Sequence, residues 1–144
     1  MKLRRAVTQD ASALAELEKT QPQAAGWGEQ GLRTELQQTC SIIWCAQAAD
    51  EVVGFVAARA VADSAEIVNI AVRADQVRRG IGKALLGEIL AVLKEKGVCH
   101  ITLEVAQDNI AANALYELAG FNKVNTRKDF YGPNRDAWLM AKNL

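Results

Sequence analysis

Between Glu66 and Lys96 the sequence changes its apolar period, and that change limits the folds open to the chain. Glu66 to Val72 reads EIVNIAV, a short run rich in β-branched residues, as a strand requires. From Gly80 to Lys96, Ile81, Leu85, Ile89 and Leu93 instead recur every four residues, with Leu86, Leu90 and Val92 beside them, which is the spacing of one helical face. Lys94 and Lys96 then precede Gly97, a helix stop. A strand that passes through a glycine-bearing loop into a long amphipathic helix places the chain among proteins that mix sheet and helix.

The rest of the chain extends this pattern. Ser41 to Ala48, Val52 to Val61 and Glu66 to Val72 read as three consecutive antiparallel strands, with Ala49-Asp50-Glu51 and Ala62-Asp63-Ser64 as polar breaks. Ahead of them, Leu3 to Val7 reads as a short strand, and Thr8 or Asp10 can cap a helix over Ala11 to Thr20 whose Ala13, Leu14 and Leu17 share a face. QPQAAGWG, from Gln21 to Gly28, is a loop carrying Trp27, and Glu29 to Gln38 returns to helical composition. After the long helix, His100 to Val105 is strand-like and Asn109 to Ala119 is helical with Gly120 as its stop. Phe121 to Thr126 and Ala137 to Ala141 supply two last strands. The order β-α-α-β-β-β-α-β-α-β-β predicts an α/β fold with a mixed central sheet flanked by helices, in one domain over residues 1–144. No internal repeat, low-complexity segment or linker interrupts it.

Composition narrows the functional classes. Seventeen basic residues balance seventeen acidic ones, so no overall field draws the chain to nucleic acid or to an anionic membrane. Cys40, Cys45 and Cys99 form no CxxC pair and leave an odd count, which argues against a disulfide framework and a structural zinc site. Cys99 reads as a core thiol and His100, the single histidine, as structural, since one histidine cannot build a multi-histidine metal site. MKLRRAV is followed by Thr8, Gln9 and Asp10 rather than an apolar core, and the apolar stretch from Val52 to Val61 is broken by Arg59. The expectation is a soluble, cytoplasmic protein.

The loop RADQVRRGIGKALL holds the first candidate site. Gly80 and Gly82 stand at the helix entry beside Arg78, Arg79 and Lys83. Unpaired amides and a partial positive charge suit a helix N-terminus to pyrophosphate, and glycines allow close approach. Glycines that merely begin a helix, beside solvated arginines, give the same short pattern. GxxxxGK[ST] is absent, and so is the third glycine of a dinucleotide fingerprint, so nucleoside triphosphate and NAD readings lose ground.

Taken whole, EIVNIAVRADQVRRGIGKALL resembles the coenzyme A motif of the GNAT acetyltransferase superfamily, a strand followed by a [QR]xxGx[GA] loop and a helix. The first Gln or Arg of that motif falls here at Val77, with Gln76 one place earlier. ITLEVAQDNIAANALYELAGF is similar to the second half of the pattern, most closely in the RimI-type ribosomal-protein alanine N-acetyltransferases with their LEV, N and ALYxxxGF signatures. The resemblance runs from about Glu66 to Tyr131, and Trp27 at the second-helix loop agrees with it as a candidate substrate-binding residue. It implies acetyl-coenzyme A as co-substrate and no metal. It further implies that amides from Arg78 through Arg79, Gly80, Ile81 and Gly82 to Lys83 hold the pyrophosphate, while the main chain of Ile70, Ala71 and Val72 pairs with the pantetheine arm. Asn109 would hydrogen-bond that arm, a role compatible with its capping a helix.

Acetyl transfer needs two proton movements. An α-amino group with a pKa near ~8 must lose a proton, and a departing thiolate with a pKa of about 8.5 benefits from gaining one. The resemblance makes Glu104 the base, acting through water, and Tyr116 the acid. By spacing alone Glu104 is also a surface or ion-paired strand residue and Tyr116 a packing aromatic, with Leu115 and Leu118 better placed for the core. Glu66 is the second candidate base, and Tyr131, in RKDFYGPNRDAW, is a candidate for holding the acceptor. The implied acceptor is a protein N-terminal amine, that of the N-terminal alanine of small-subunit ribosomal protein eighteen. Acetylation of a small amine (polyamine, amino acid or aminoglycoside) and a non-catalytic coenzyme A-binding module remain the alternatives, with no direct nucleic-acid or membrane partner and a monomer or weak dimer expected.

Overall fold

The computed structural model describes residues 1–21, 24–76 and 80–144. Among them the strands are β1 (Lys2–Arg5), β2 (Ser41–Ala48), β3 (Glu51–Val61), β4 (Ser64–Val72), β5 (His100–Ala106), β6 (Asn122–Arg127) and β7 (Ala137–Asn143). The helices are α1 (Ala11–Lys19), α2 (Gly28–Leu36), α3 (Ile81–Glu95) and α4 (Ile110–Leu118), with single 3-10 turns at Thr8–Asp10 and Ala74–Gln76. The strands form one mixed sheet in the order β1-β2-β3-β4-β5-β7-β6. The element order is the one the sequence predicts, with boundaries shifted by at most two residues.

Local chemistry explains the connections. β2 and β3 meet through a two-residue turn in which Ala49 and Asp50 both have positive φ, 49° and 66°, the turn whose twist matches that of the strands. β4 and β5 run parallel, so the chain must cross over, and α3 makes that crossover. β5 then pairs antiparallel with β7, and β6 closes the far edge by pairing with β7.

Both faces of the central strands are covered, which is why they read as continuous apolar runs. On one face Ile81, Leu85, Leu86, Ile89 and Leu93 of α3 pack on Ile42, Val56, Ile67, Ile101 and Leu103. On the other, Leu14 and Leu17 of α1 and Leu32 of α2 pack on Ile43, Cys45, Phe55 and Ala57.

Two expectations are corrected. On α4 it is Tyr116 that is buried, at 5% exposure, whereas Leu118 is 82% exposed and Leu115 is half-buried. The helix presents Asn113 and Tyr116 inward, toward Phe121, so its apolar residues fall on two sides and only contact with the sheet selects one. Cys99 is exposed rather than a core thiol, because it precedes β5 and stands beside the β3–β4 turn, its Sγ 3.6 Å from an Asp63 carboxylate oxygen. His100 is exposed as well, with Nδ1 2.9 Å from Asn143 Oδ1.

Where β1 leads into α1, Arg4 donates two hydrogen bonds of 2.9 Å to Asp10, which also accepts the Val7 amide at 2.7 Å. The hydrogen bond from Arg4 is the main reason the Asp10 carboxyl is held below the usual carboxylate range. Asp10→Ala is expected to lower the unfolding free energy by about 1–3 kcal/mol at neutral pH. Because the folded-state pKa is depressed, this contribution is complete above about pH 4 and is lost as pH falls through the folded value. Denaturant titrations across the acid range should therefore show the two proteins converging toward low pH.

Candidate active site

β4 and β5 are paired only over Ser64–Ile67 and His100–Leu103. Val68 accounts for the parting. Ala58 and Ala57 of β3 face Ile67 and Asn69 of β4, so Val68 is an extra residue, a β-bulge that bends its strand. The bulge also switches facing: Ala65 and Ile67 pack in the α3 layer before it, and Ile70 and Val72 after it. β5 continues along β7 to Ala106, so among the described residues the β5-side edge of β4 from Val68 to Val72 has no ladder partner. Such an edge offers backbone donors and acceptors to an extended ligand.

A cleft of about 850 Å³ fills the gap, and Ile70, Ala71, Val72, Gly82 and Asn109 all line it. Gly80, with φ 77°, lies in the left-handed region just before α3. The amides of Ile81, Gly82 and Lys83, in the first turn, have no partners within their own helix. A Cβ on Gly82 would meet Leu115 at 3.4 Å and Val72 at 3.8 Å, ordinary van der Waals contact, so Gly82 stands between α4 and the end of β4. The Ile81 side chain is buried in the core and Lys83 is exposed, which leaves the backbone as their shared contribution. Arg78 and Arg79 lie outside the described residues. Asn109 caps α4 by accepting the Ala112 amide at 3.2 Å while also lining the cleft. A free strand edge that leads toward unpaired helix amides fits a long ligand with an extended amide-bearing arm and an anionic end.

The other end of the cleft holds the titratable groups. Glu104 stands on the part of β5 that β4 has left, 26% exposed at its side chain, with Arg127 Nη1 3.4 Å from its carboxylate. Tyr116 enters from α4, and burial, reinforced by Tyr131, pushes its phenol well above the ordinary value. Tyr131, packed edge to face on Phe130 at 5.0 Å between ring centres, is raised too, by burial first and then by the charge of Glu104. Glu66 is exposed and lines the same cleft.

Trp27 does not line this cleft. Its ring lies 5.4 Å from the Arg59 guanidinium, in a separate groove of about 290 Å³. Arg127, Phe130, Arg135, Asn69, Gln21, Ala24 and Ala25 do line the cleft and were not singled out from sequence. Phe130 beside Tyr131 was the one local signal. Burial pushes the Cys45 thiol up to about 11, so it stays neutral. Among the described residues no group of three or more His, Cys, Asp or Glu could hold a metal ion, and no helix is long and apolar enough to cross a membrane.

The sheet is thus split between two parallel strands, with a helix beginning at one end of the split and a carboxylate and a phenol at the other. The chain belongs to the acetyltransferase (GNAT) family, whose model matches residues 11–121. Within it, the [ribosomal protein bS18]-alanine N-acetyltransferase of Haemophilus influenzae is 41% identical over 96 residues, 64% of this chain and 65% of that protein. The Escherichia coli protein of the same description is 36% identical over 121 residues, 82% of this chain and 75% of that one. The crystal structure of the ribosomal-protein-S18-alanine N-acetyltransferase from Escherichia coli superposes with a TM-score of 0.89 at 31% identity, covering 99% of this chain and 92% of that chain.

The two tyrosines of the chain, Tyr116 and Tyr131, are both raised, which gives a direct optical test. Ultraviolet titration of the folded protein should show phenolate appearing only above the ordinary value of about 10. Tyr116→Phe should remove the later-titrating component and leave the earlier one.

Proposed function

We propose that this chain transfers an acetyl group from acetyl-coenzyme A directly to a protein N-terminal amine, that of the N-terminal alanine of ribosomal protein bS18. In this reading residues 1–144 act as one domain, in the cytoplasm. The supporting observation is that one cleft holds the free edge of β4 together with Glu104 and Tyr116. The descriptions of the Haemophilus and Escherichia relatives support the choice of acceptor.

When bound, acetyl-coenzyme A supplies an activated acetyl thioester. The main chain of Ile70, Ala71 and Val72 offers hydrogen bonds along its arm, and the amides of Gly80 to Lys83 stand at the helix entry where its phosphates would bind. Asn109 adds a polar contact. Glu104 takes the proton of the acceptor ammonium through water, and an α-amino group near ~8 is easier to deprotonate than a lysine near ~10.4 by about two units. Tyr116 keeps its proton on Oη throughout the working range, because burial holds its pKa up; it delivers that proton to the departing sulfur and regains one as the attacking nitrogen sheds its second. Tyr131 and Glu66 contact the acceptor, and Trp27 stabilises the start of α2 beside it. Arg127 and Arg135 are balanced in the cleft by Glu66 and Glu104, so it offers a polyamine or aminoglycoside no net attraction.

The test is thiol release from acetyl-coenzyme A with a peptide bearing a free N-terminal alanine, the same peptide N-acetylated, and spermine. Release with the first alone is expected. Glu104→Gln and Tyr116→Phe should each lower kcat by about 10²-fold or more while calorimetry finds coenzyme A affinity preserved. Undiminished kcat in either variant removes that residue's role, and equal turnover of spermine removes the N-terminal acceptor.

A further inference from the structure

Glu18 is a buried carboxylate, 6% exposed, that the chemistry above does not use. It lies in the last turn of α1, where the helix dipole disfavours a negative charge, so local preference does not place it there. Three donors do. Asn69 Nδ2 donates to Oε2 at 2.8 Å, the Trp27 amide to the same oxygen at 2.9 Å, and the Gly28 amide to Oε1 at 3.0 Å. Asn69, itself 5% exposed, accepts the Ala25 amide on Oδ1 at 3.1 Å. A buried charge is tolerated only when its hydrogen-bonding capacity is met this fully, and a fully met network specifies one geometry.

The network joins three things. Asn69 follows the bulge of β4, the Trp27 and Gly28 amides begin α2, and Ala25 belongs to the segment between α1 and α2 whose Gln21, Ala24 and Ala25 line the cleft. We propose that Glu18 and Asn69 are positioning residues that fix this segment against the bulged strand, setting the width of the acceptor end of the cleft and hence its preference for a small first side chain. Ala24 and Ala25 line the cleft and carry only methyl side chains, so the distance at which they are held decides how large a neighbouring side chain fits. The selectivity half of this inference rests on the acetyltransferase reading; the latch half does not.

Glu18→Gln is the sharpest variant, because every partner of Glu18 is a donor and the new amide turns one acceptor into a donor facing them. Amide hydrogen exchange at Ala25, Trp27 and Gly28 should accelerate by roughly tenfold or more. The KM for an alanine-initiated peptide should rise by about tenfold with kcat changed less, and the kcat/KM preference for alanine over leucine at the first position should fall by a similar factor. Coenzyme A affinity, read by calorimetry, should stay within about twofold, a control for an intact fold. Asn69→Asp should reproduce the defect by setting two carboxylates together, and combining it with Glu18→Gln should restore part of the protection and selectivity, since the new amide can donate to the new carboxylate. If Glu18→Gln does not fold, Asn69→Ala, which frees the Ala25 amide and removes one of the three donors to Glu18, takes its place. Unchanged exchange at the three amides would overturn the latch, and faster exchange with unchanged peptide selectivity would overturn the positioning role. No turnover of any peptide by the wild-type protein, with exchange responding as expected, would instead sink the acetylation reading and its selectivity while the latch stands.

Discussion

Backbone groups inside a sheet have to be paired, and the organisation of this protein follows from one place where a strand pairing stops. β4 and β5 share a parallel ladder for four residues on each strand, and then the bulge at Val68 turns β4 away. Past that point β4 remains held by β3 and β5 by β7, so neither strand collapses into the gap. The result is an unpaired edge in the middle of the sheet rather than at its rim, protected from association with other chains and open to a narrow ligand. α3 begins at the same gap because it is the crossover that a parallel pair requires.

The two ends of the gap differ in chemistry. Toward α3 the groups on offer are backbone amides, which carry no side chain to move and little charge to titrate. Toward β6 and the Phe130–Tyr131 pair, Arg127 meets the Glu104 carboxylate, and burial raises the phenols of Tyr116 and Tyr131, with Tyr131 adding to the first and the charge of Glu104 to the second. Under the proposed roles, the phenol of Tyr116, kept neutral by burial, is the group suited to give a proton to the departing sulfur.

Much of this was legible in the sequence because it depends on period and on local chemistry. The four-residue recurrence of α3, the Gly80 that precedes it at φ 77° and the capping asparagine of α4 are each fixed by near neighbours. What was hidden depends on distant contacts. The bulge leaves no mark in EIVNIAV, since apolar residues fill positions that face either helix layer and a change of parity is invisible there. α4 carries Leu115, Tyr116 and Leu118 on different sides, and the contact with Phe121, not propensity, buries the tyrosine. The Glu18–Asn69 hydrogen bond spans 51 positions, and nothing near either residue announces the other. Trp27, which sequence placed with the acceptor site, has its ring against Arg59 instead, while its amide belongs to the buried network.

The free edge of β4 can be probed residue by residue. Amide hydrogen exchange followed with and without acetyl-coenzyme A should show new protection confined to the stretch from Val68 to Val72 and the first turn of α3, with Ser64–Ile67 unchanged because β5 already pairs them. Binding that leaves the Val68–Val72 amides as exchangeable as before would contradict the role given to the parted strands.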